Sequence, residues 1–258
     1  MLRFRENWIA LTTILRREIT RFLRIWTQTL LPPMITMALY FIIFGELIGA
    51  RIGKMEEVRY IDYIVPGLIM MSIITNSFGN VVASFFSAKF QKNIEEMLVS
   101  PMPSTIILWG FVLGGVARGL VVGVLVTIIS VFFTNFQIHE FGITLLFAIL
   151  TALLFSLAGL INAIFAKKFD DTNIVLIFIL TPLTYLGGVF YSIDLLPSLL
   201  KWITYINPIF YMVNAFRYGM LGRSDVSIST AFIVTAGLII LFYVFSLWLL
   251  KRGVGIRT

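Results

Sequence analysis

Residues 89–103 read KFQKNIEEMLVSPMP and lie between two long apolar runs. Wound as a helix, Phe90, Ile94, Met97 and Leu98 fall on one narrow face, and Lys89, Lys92, Glu95 and Glu96 on the other. A plain loop between two membrane spans has no need of such a face. The segment is expected to present a short helix to something outside the bilayer.

On either side of it the chain is apolar in blocks. Of 258 residues, 59% are apolar and 13% charged, with a mean hydropathy of +0.96. A soluble domain is nearer half apolar and a quarter charged. A helix needs about 20 apolar residues to cross the ~30 Å hydrocarbon core. Five segments qualify: about 29–49, 62–88, 104–134, 141–166 and 229–250. A sixth, about 172–190, is shorter and is interrupted by Pro182, Gly187 and Gly188. The expected fold is an all-α membrane protein of six helices, one transmembrane domain over 1–258. The first apolar run begins near Thr29 behind a basic segment and continues without an obvious cleavage site, so it reads as a span and not as a secretory leader.

The charges orient the spans. With both termini inside, segments 1–28, 89–103, 167–171 and 251–258 carry 13 Lys and Arg, against 6 in 50–60, 135–140 and 191–228. That bias predicts cytoplasmic N- and C-termini. It also gives the net charge of +7 a membrane explanation, and no nucleic acid partner is expected, since no basic stripe with stacking aromatics occurs on a soluble module. The absence of cysteine removes disulfides and thiolate sites, and the single His139 leaves little scope for metal or triad chemistry.

Ahead of the first span, Phe4, Trp8, Leu11, Leu15, Ile19, Phe22 and Trp26 share one helical face, while Arg3, Arg16, Arg17, Arg21 and Arg24 lie away from it. That pattern predicts an amphipathic helix in the membrane interface, against the lipid bilayer. Arg118 falls inside the third span among Gly110, Gly114, Gly115, Gly119 and Gly123. A charge there should face the bundle interior, a cavity or a partner. The spacing of Gly110 to Gly114 and of Gly119 to Gly123 permits close helix approach. Arg118, Gly114 and Gly115 are thus candidates for a transport path or subunit contact. The alternative is a structural arginine held by a carboxylate or by helix-end carbonyls. At 167–171 a solvated turn capped by Asp171 or Thr172 is expected.

From Thr181 the chain reads TPLTYLGGVFYSIDLLPSLLKWITYINPIFYMVNAFRYGMLG. It is apolar yet broken by Gly187, Gly188, Pro197, Asn207 and Pro208, and it carries Arg217. Irregular backbone at membrane depth must be covered by protein or line a cavity, so 191–228 reads as an outer, re-entrant helical hairpin. Gly187-Gly188, Leu196-Pro197, Asn207-Pro208 and the Phe216-Arg217-Tyr218 cluster, in that order, resemble the carboxy-terminal signature of ABC-2 type permeases, the membrane subunits of bacterial ABC exporters. The resemblance covers nearly the whole chain. It is nearest to inner-membrane permeases of Gram-negative bacteria related to the nodulation-factor exporter permeases.

The resemblance implies that the helix in 89–103 is a coupling helix seated on a cytoplasmic ATPase, with Lys92 to Leu98 transmitting closure. It implies a homodimer with two ATPase subunits, ATP and Mg being bound by that partner and no cofactor by this chain. It also implies export of a hydrophobic or amphipathic drug, lipid or glycolipid across the bacterial inner membrane. No G-x-x-x-x-G-K-[ST] pattern occurs in the chain, in keeping with a permease without catalysis of its own. Phe41, Phe44, Tyr60, Phe178 and Tyr185 are candidate lining residues. The competing readings are an ion-coupled secondary transporter, disfavoured by spans that offer almost no carboxylate beyond Glu46, and a lipid-modifying membrane enzyme.

Overall fold

In a computed structural model the described residues are 2–55, 57–134 and 138–255, with the side chains of Leu2, Arg3, Phe4 and Glu46 outside the description. The expectations placed on Phe4, Arg3 and Glu46 therefore lie outside the described side chains. The elements in chain order are α1 (Leu2–Arg24), α2 (Trp26–Ile52), a two-residue β-hairpin of β1 (Lys54–Met55) and β2 (Val58–Arg59), α3 (Tyr60–Phe90) and α4 (Asn93–Val99). Then follow α5 (Ser104–Val131), α6 (Phe141–Phe165), α7 (Asp171–Tyr185), α8 (Ser198–Ile206), α9 (Pro208–Leu221) and α10 (Ile228–Arg252).

Among the described residues five helices, α2, α3, α5, α6 and α10, are long and apolar enough to cross a membrane. The sixth expected segment is α7, which is shorter and made of three five-residue pieces, the middle one π-helical. Phe41–Ile48 of α2 is π-helical as well. The hairpin at 54–59 was not foreseen.

Helix α3 is the centre of the bundle, buried along most of its length. Three of its polar residues donate to its own backbone: Ser72, Thr75 and Asn76 donate to the carbonyls of Leu68, Met71 and Ser72. The glycines of α5 divide between two neighbours. A β-carbon at Gly110 or Gly114 would lie 2.8 Å from Ile14 Cβ or 2.6 Å from Glu18 Cβ on α1. At Gly123 it would lie 2.7 Å from Ile73 on α3, and Gly119 is pressed against Ser77. So both small-xxx-small pairs are used, each against a different helix. Gly114 and Gly115, expected at a path or subunit contact, pack within the chain: Gly115 lies against Val81 and Ser156. Gly159 lets α6 approach the Phe78 carbonyl to 2.6 Å from its would-be β-carbon.

Because it meets α5 through Ile14 and Glu18, α1 is bound to the bundle along one face and does not merely float beside it. Replacing Gly159 by Val forces a branched side chain onto the α3 backbone. It is expected to lower the thermal unfolding midpoint of the detergent-purified protein, at a cost of about 2–3 kcal/mol. Gly237→Ala on α10, where a β-carbon meets nothing within 4 Å, should not lower it.

Candidate functional site

The segment 89–103 is a corner, not a single helix. Helix α3 ends at Phe90; Gln91 and Lys92 turn the chain, with Lys92 in the left-handed region at φ 63°. Phe90 and Ile94 therefore lie on different helices, and the expected single face is divided. Ile94 is fully buried, and Met97 and Leu98 pack beside it on a core cluster that includes Ile107, Phe111, Ile164 and Leu250. The apolar side of α4 thus belongs to the bundle. The outward surface is Gln91, Lys92, Glu96 and Val99, with Glu95 half-buried. Phe90 is exposed, its ring 5.1 Å from Phe169, which in turn meets Phe86 at 4.9 Å. The i,i+4 pair of Lys92 and Glu96 does not form among the described residues, because Lys92 precedes the helix.

Lys89 ties this corner to the loop that follows α6. Its Nζ donates to the carbonyls of Ile164 (2.6 Å) and Ala166 (2.7 Å), at the end of α6. A cation suits those carbonyls, which have no helical partner and carry the negative end of the helix dipole. In the loop beyond, the Asp171 carboxylate accepts the amides of Lys167 (2.9 Å) and Lys168 (3.0 Å). Those two bonds hold its carboxyl below the usual range. The expected helix cap does not form, since the start of α7 has no side-chain cap bond; Asp171 bonds backward instead, into the turn that precedes α7. A depressed carboxylate pKa gives stability that is present at neutral pH and lost only as pH falls below about 4.

A polar seam joins α1, α3 and α5. Arg118 Nη2 donates to the Thr29 carbonyl (3.2 Å) and Asn76 Oδ1 (3.1 Å). One turn along α3, Asn80 Oδ1 accepts from Arg21 Nη2 (2.9 Å), which also meets Glu18 Oε2 at 3.1 Å. Glu18 is buried, and Arg17 approaches its other oxygen at 3.3 Å. Arg118 is thus held by a carbonyl in the first turn of α2 and by an amide. Arg21 turns inward, although it lies away from the aromatic face in sequence. Glu18 was not singled out; the signal was its place between Ile14 and Phe22 at i+4 steps, an acid on the face that is buried.

On the opposite side of the bundle most of the signature residues converge. Arg217, at 1% exposure, donates to the Gly188 carbonyl, approaches Asn214 Oδ1 at 3.4 Å and lies 4.1 Å from the centre of the Tyr63 ring. Gly188 has φ 73°, which a glycine takes without strain. Asn207 caps α9 through Ile209 N–H and also donates to the Leu183 carbonyl, with Pro208 in the first turn. Gly187 faces Ile209, and Phe216 is buried in the core. Pro197 stands apart, exposed before α8. Tyr60 and Tyr63 hydroxyls donate to the Phe190 and Tyr191 carbonyls, so α3 grips the same loop.

Two of the proposed lining residues are core instead: Phe41 packs on Phe133, and Tyr60 is buried. Phe44 and Tyr185 join Tyr40 and Phe190 in a ring cluster, with the Tyr40 and Tyr185 hydroxyls 3.1 Å apart. Phe178 is exposed. His139 lies edge-on to Tyr218, and among the described residues no group of acids and histidine suits a metal.

Arg217→Met removes a charge-assisted hydrogen bond and a cation–π contact while leaving the Gly188 carbonyl buried. The expected loss is about 2–4 kcal/mol, read as a lowered thermal midpoint in detergent. Phe178→Ala, on an exposed face, should stay within about 0.5 kcal/mol of the parent.

Comparison with known proteins accords with this arrangement. The chain is 58% identical over 251 residues to the inner membrane transport permease YadH of Escherichia coli (strain K12), covering 97% of this chain and 98% of that protein. The same identity and coverage hold for the permease of that name in Shigella flexneri. Nodulation protein J of Rhizobium leguminosarum bv. viciae is 22% identical over 251 residues, covering 95% of this chain and 94% of that protein. The family model for ABC-2 type transporters matches residues 9–221, which take in most of α1, the corner at 89–103 and the Arg217 lock, and the chain belongs to that family.

Proposed function

We propose that this chain is the membrane subunit of an ATP-driven exporter, a transport permease of the bacterial inner membrane. A separate cytoplasmic ATPase, present in two copies, binds ATP and Mg and supplies the work. The observation that carries this reading is the corner at 89–103. Ile94 seats α4 in the bundle, Lys89 fastens it to the end of α6, and a polar strip of Gln91, Lys92 and Glu96 stays exposed beside Val99. A partner pressing on that strip moves α3, α5 and α6 together, because no loose linker intervenes.

The name of the full-length relative supports the inner membrane and a transport role. The basic bias of 1–28, 89–103, 167–171 and 251–258 supports cytoplasmic termini. Six crossings are then completed by α7, with α8 and α9 entering the outer leaflet as a re-entrant pair. Two copies in a C2 dimer provide a twelve-helix assembly with a path between them. The cargo is hydrophobic or amphipathic, a drug, lipid or glycolipid, in keeping with spans rich in aromatic and apolar side chains. Coupling falls to Lys92, Glu95 and Glu96, with Phe90 at the edge and Ile94, Met97 and Leu98 holding the helix in place.

The test uses the chain co-expressed with the ABC ATPase of the same organism that co-purifies with it. Glu96→Lys with Val99→Asp alters exposed positions only. It should leave folding intact while cutting co-purification of the ATPase, or transport-linked ATP hydrolysis, by tenfold or more. Unchanged association and unchanged hydrolysis would refute the coupling role. Lys89→Met should instead leave the ATPase bound but lower the transport achieved per ATP.

A further inference from the structure

Helix α1 has three faces. Ile14, Glu18 and Phe22 face the bundle. Trp8 and Leu23, with Trp26 at the start of α2, form an exposed apolar edge at 60%, 46% and 54% exposure. Between these, Thr13, Arg16, Arg17, Thr20, Arg21 and Arg24 line an open groove of about 600 Å³. Four guanidinium groups thus lie along three turns of one helix.

Little on the helix neutralises them. Glu18 is buried behind the groove and already shared by Arg17 and Arg21. Glu6 lies at the far end, beside 100–103. Arg16 and Arg24 are exposed and make no side-chain hydrogen bond or ion pair among the described residues. The basic groove adjoins the Trp edge, and α1 leads at once into the first span, so the boundary between headgroups and acyl chains falls along the helix. Indole rings favour that depth, and guanidinium forks match phosphate oxygens in pairs.

We propose that Arg16 and Arg24, with Thr13 and Thr20 beside them, bind the phosphate of an anionic phospholipid, whose acyl chains lie along Trp8, Leu23 and Trp26. Arg17 and Arg21 border the same groove but are committed, Arg17 to Glu18 and the Phe111 ring and Arg21 to Asn80 and Glu18, so they connect the bound headgroup to the seam between α1 and α3. This site rests on α1 lying at a membrane surface and is independent of the transport reading.

The experiment is tryptophan quenching of the purified full chain in vesicles. One set contains brominated phosphatidylcholine with phosphatidylglycerol, the other phosphatidylcholine with brominated phosphatidylglycerol, in equal parts. Trp8 and Trp26 report on the site, and the three other tryptophans give a common background. The parent should be quenched preferentially by the brominated phosphatidylglycerol. The double variant Arg16→Gln, Arg24→Gln should lower that preference several-fold, and the matching double Lys variant, which keeps the charge but not the paired fork, should fall between the Gln variant and the parent. Equal quenching by both lipids in the parent overturns the proposal. So does an unchanged preference in the Gln variant, which would assign the stripe to a protein partner. Loss of the parent's preference on adding inorganic phosphate overturns the lipid assignment in favour of a free-anion site.

Discussion

The bundle depends on how closely α5 and α6 approach α3. In a bilayer, apolar contact with a neighbouring helix gains little over contact with lipid, so helices associate through dispersion at short range and through hydrogen bonds. Gly115, Gly119 and Gly123 on α5 and Gly159 on α6 provide that range against Val81, Ser77, Ile73 and Phe78. A helix as polar as α3, with Ser72, Asn76, Ser77, Asn80 and Ser84 all buried, is tolerated because it is nearly surrounded by protein. The same closeness brings α1 against α5 and lets Arg118 and Arg21 reach the amides of Asn76 and Asn80.

Rigidity at one end and a lock at the other follow from this. At the 89–103 end, Lys92 reverses the chain at a single left-handed residue, and Ile94 then anchors α4 in the core. At the far end, Arg217 bonds to Gly188, while Tyr60 and Tyr63 of α3 hold the carbonyls just beyond. Helix α3 therefore runs from the 89–103 corner to the Arg217 lock as one element, with packed side chains on both sides.

Much of this was legible in the chain. Block hydropathy gave the long helices to within a few residues, since the thickness of a membrane sets their length. The order of Gly187-Gly188, Asn207-Pro208 and Arg217 pointed to a shared local structure, although not to its bonds. The corner was read less well. Helical periodicity assumes continuous winding, and one residue at positive φ, Lys92, breaks the register between Phe90 and Ile94. Periodicity also cannot tell a face that docks on a partner from one that docks on its own bundle, which is why Ile94 and Met97 pointed outward in the sequence and inward in the structure. Phe41 and Tyr60 were misplaced for a related reason: an aromatic residue in a span has the same pattern whether it meets lipid, a path or a neighbouring ring.

The brevity of α7 has a consequence for the lipid around it. Its three five-residue pieces rise about 22 Å, against about 30 Å of hydrocarbon. With α7 as the sixth crossing, the shortfall would be met by headgroups drawn inward or by the 186–197 loop sinking to meet them. In the first case the bilayer beside α7 would be thinner, and more easily deformed, than beside the longer helices. An amphipathic molecule crossing there would travel a shorter apolar distance than anywhere else around the protein.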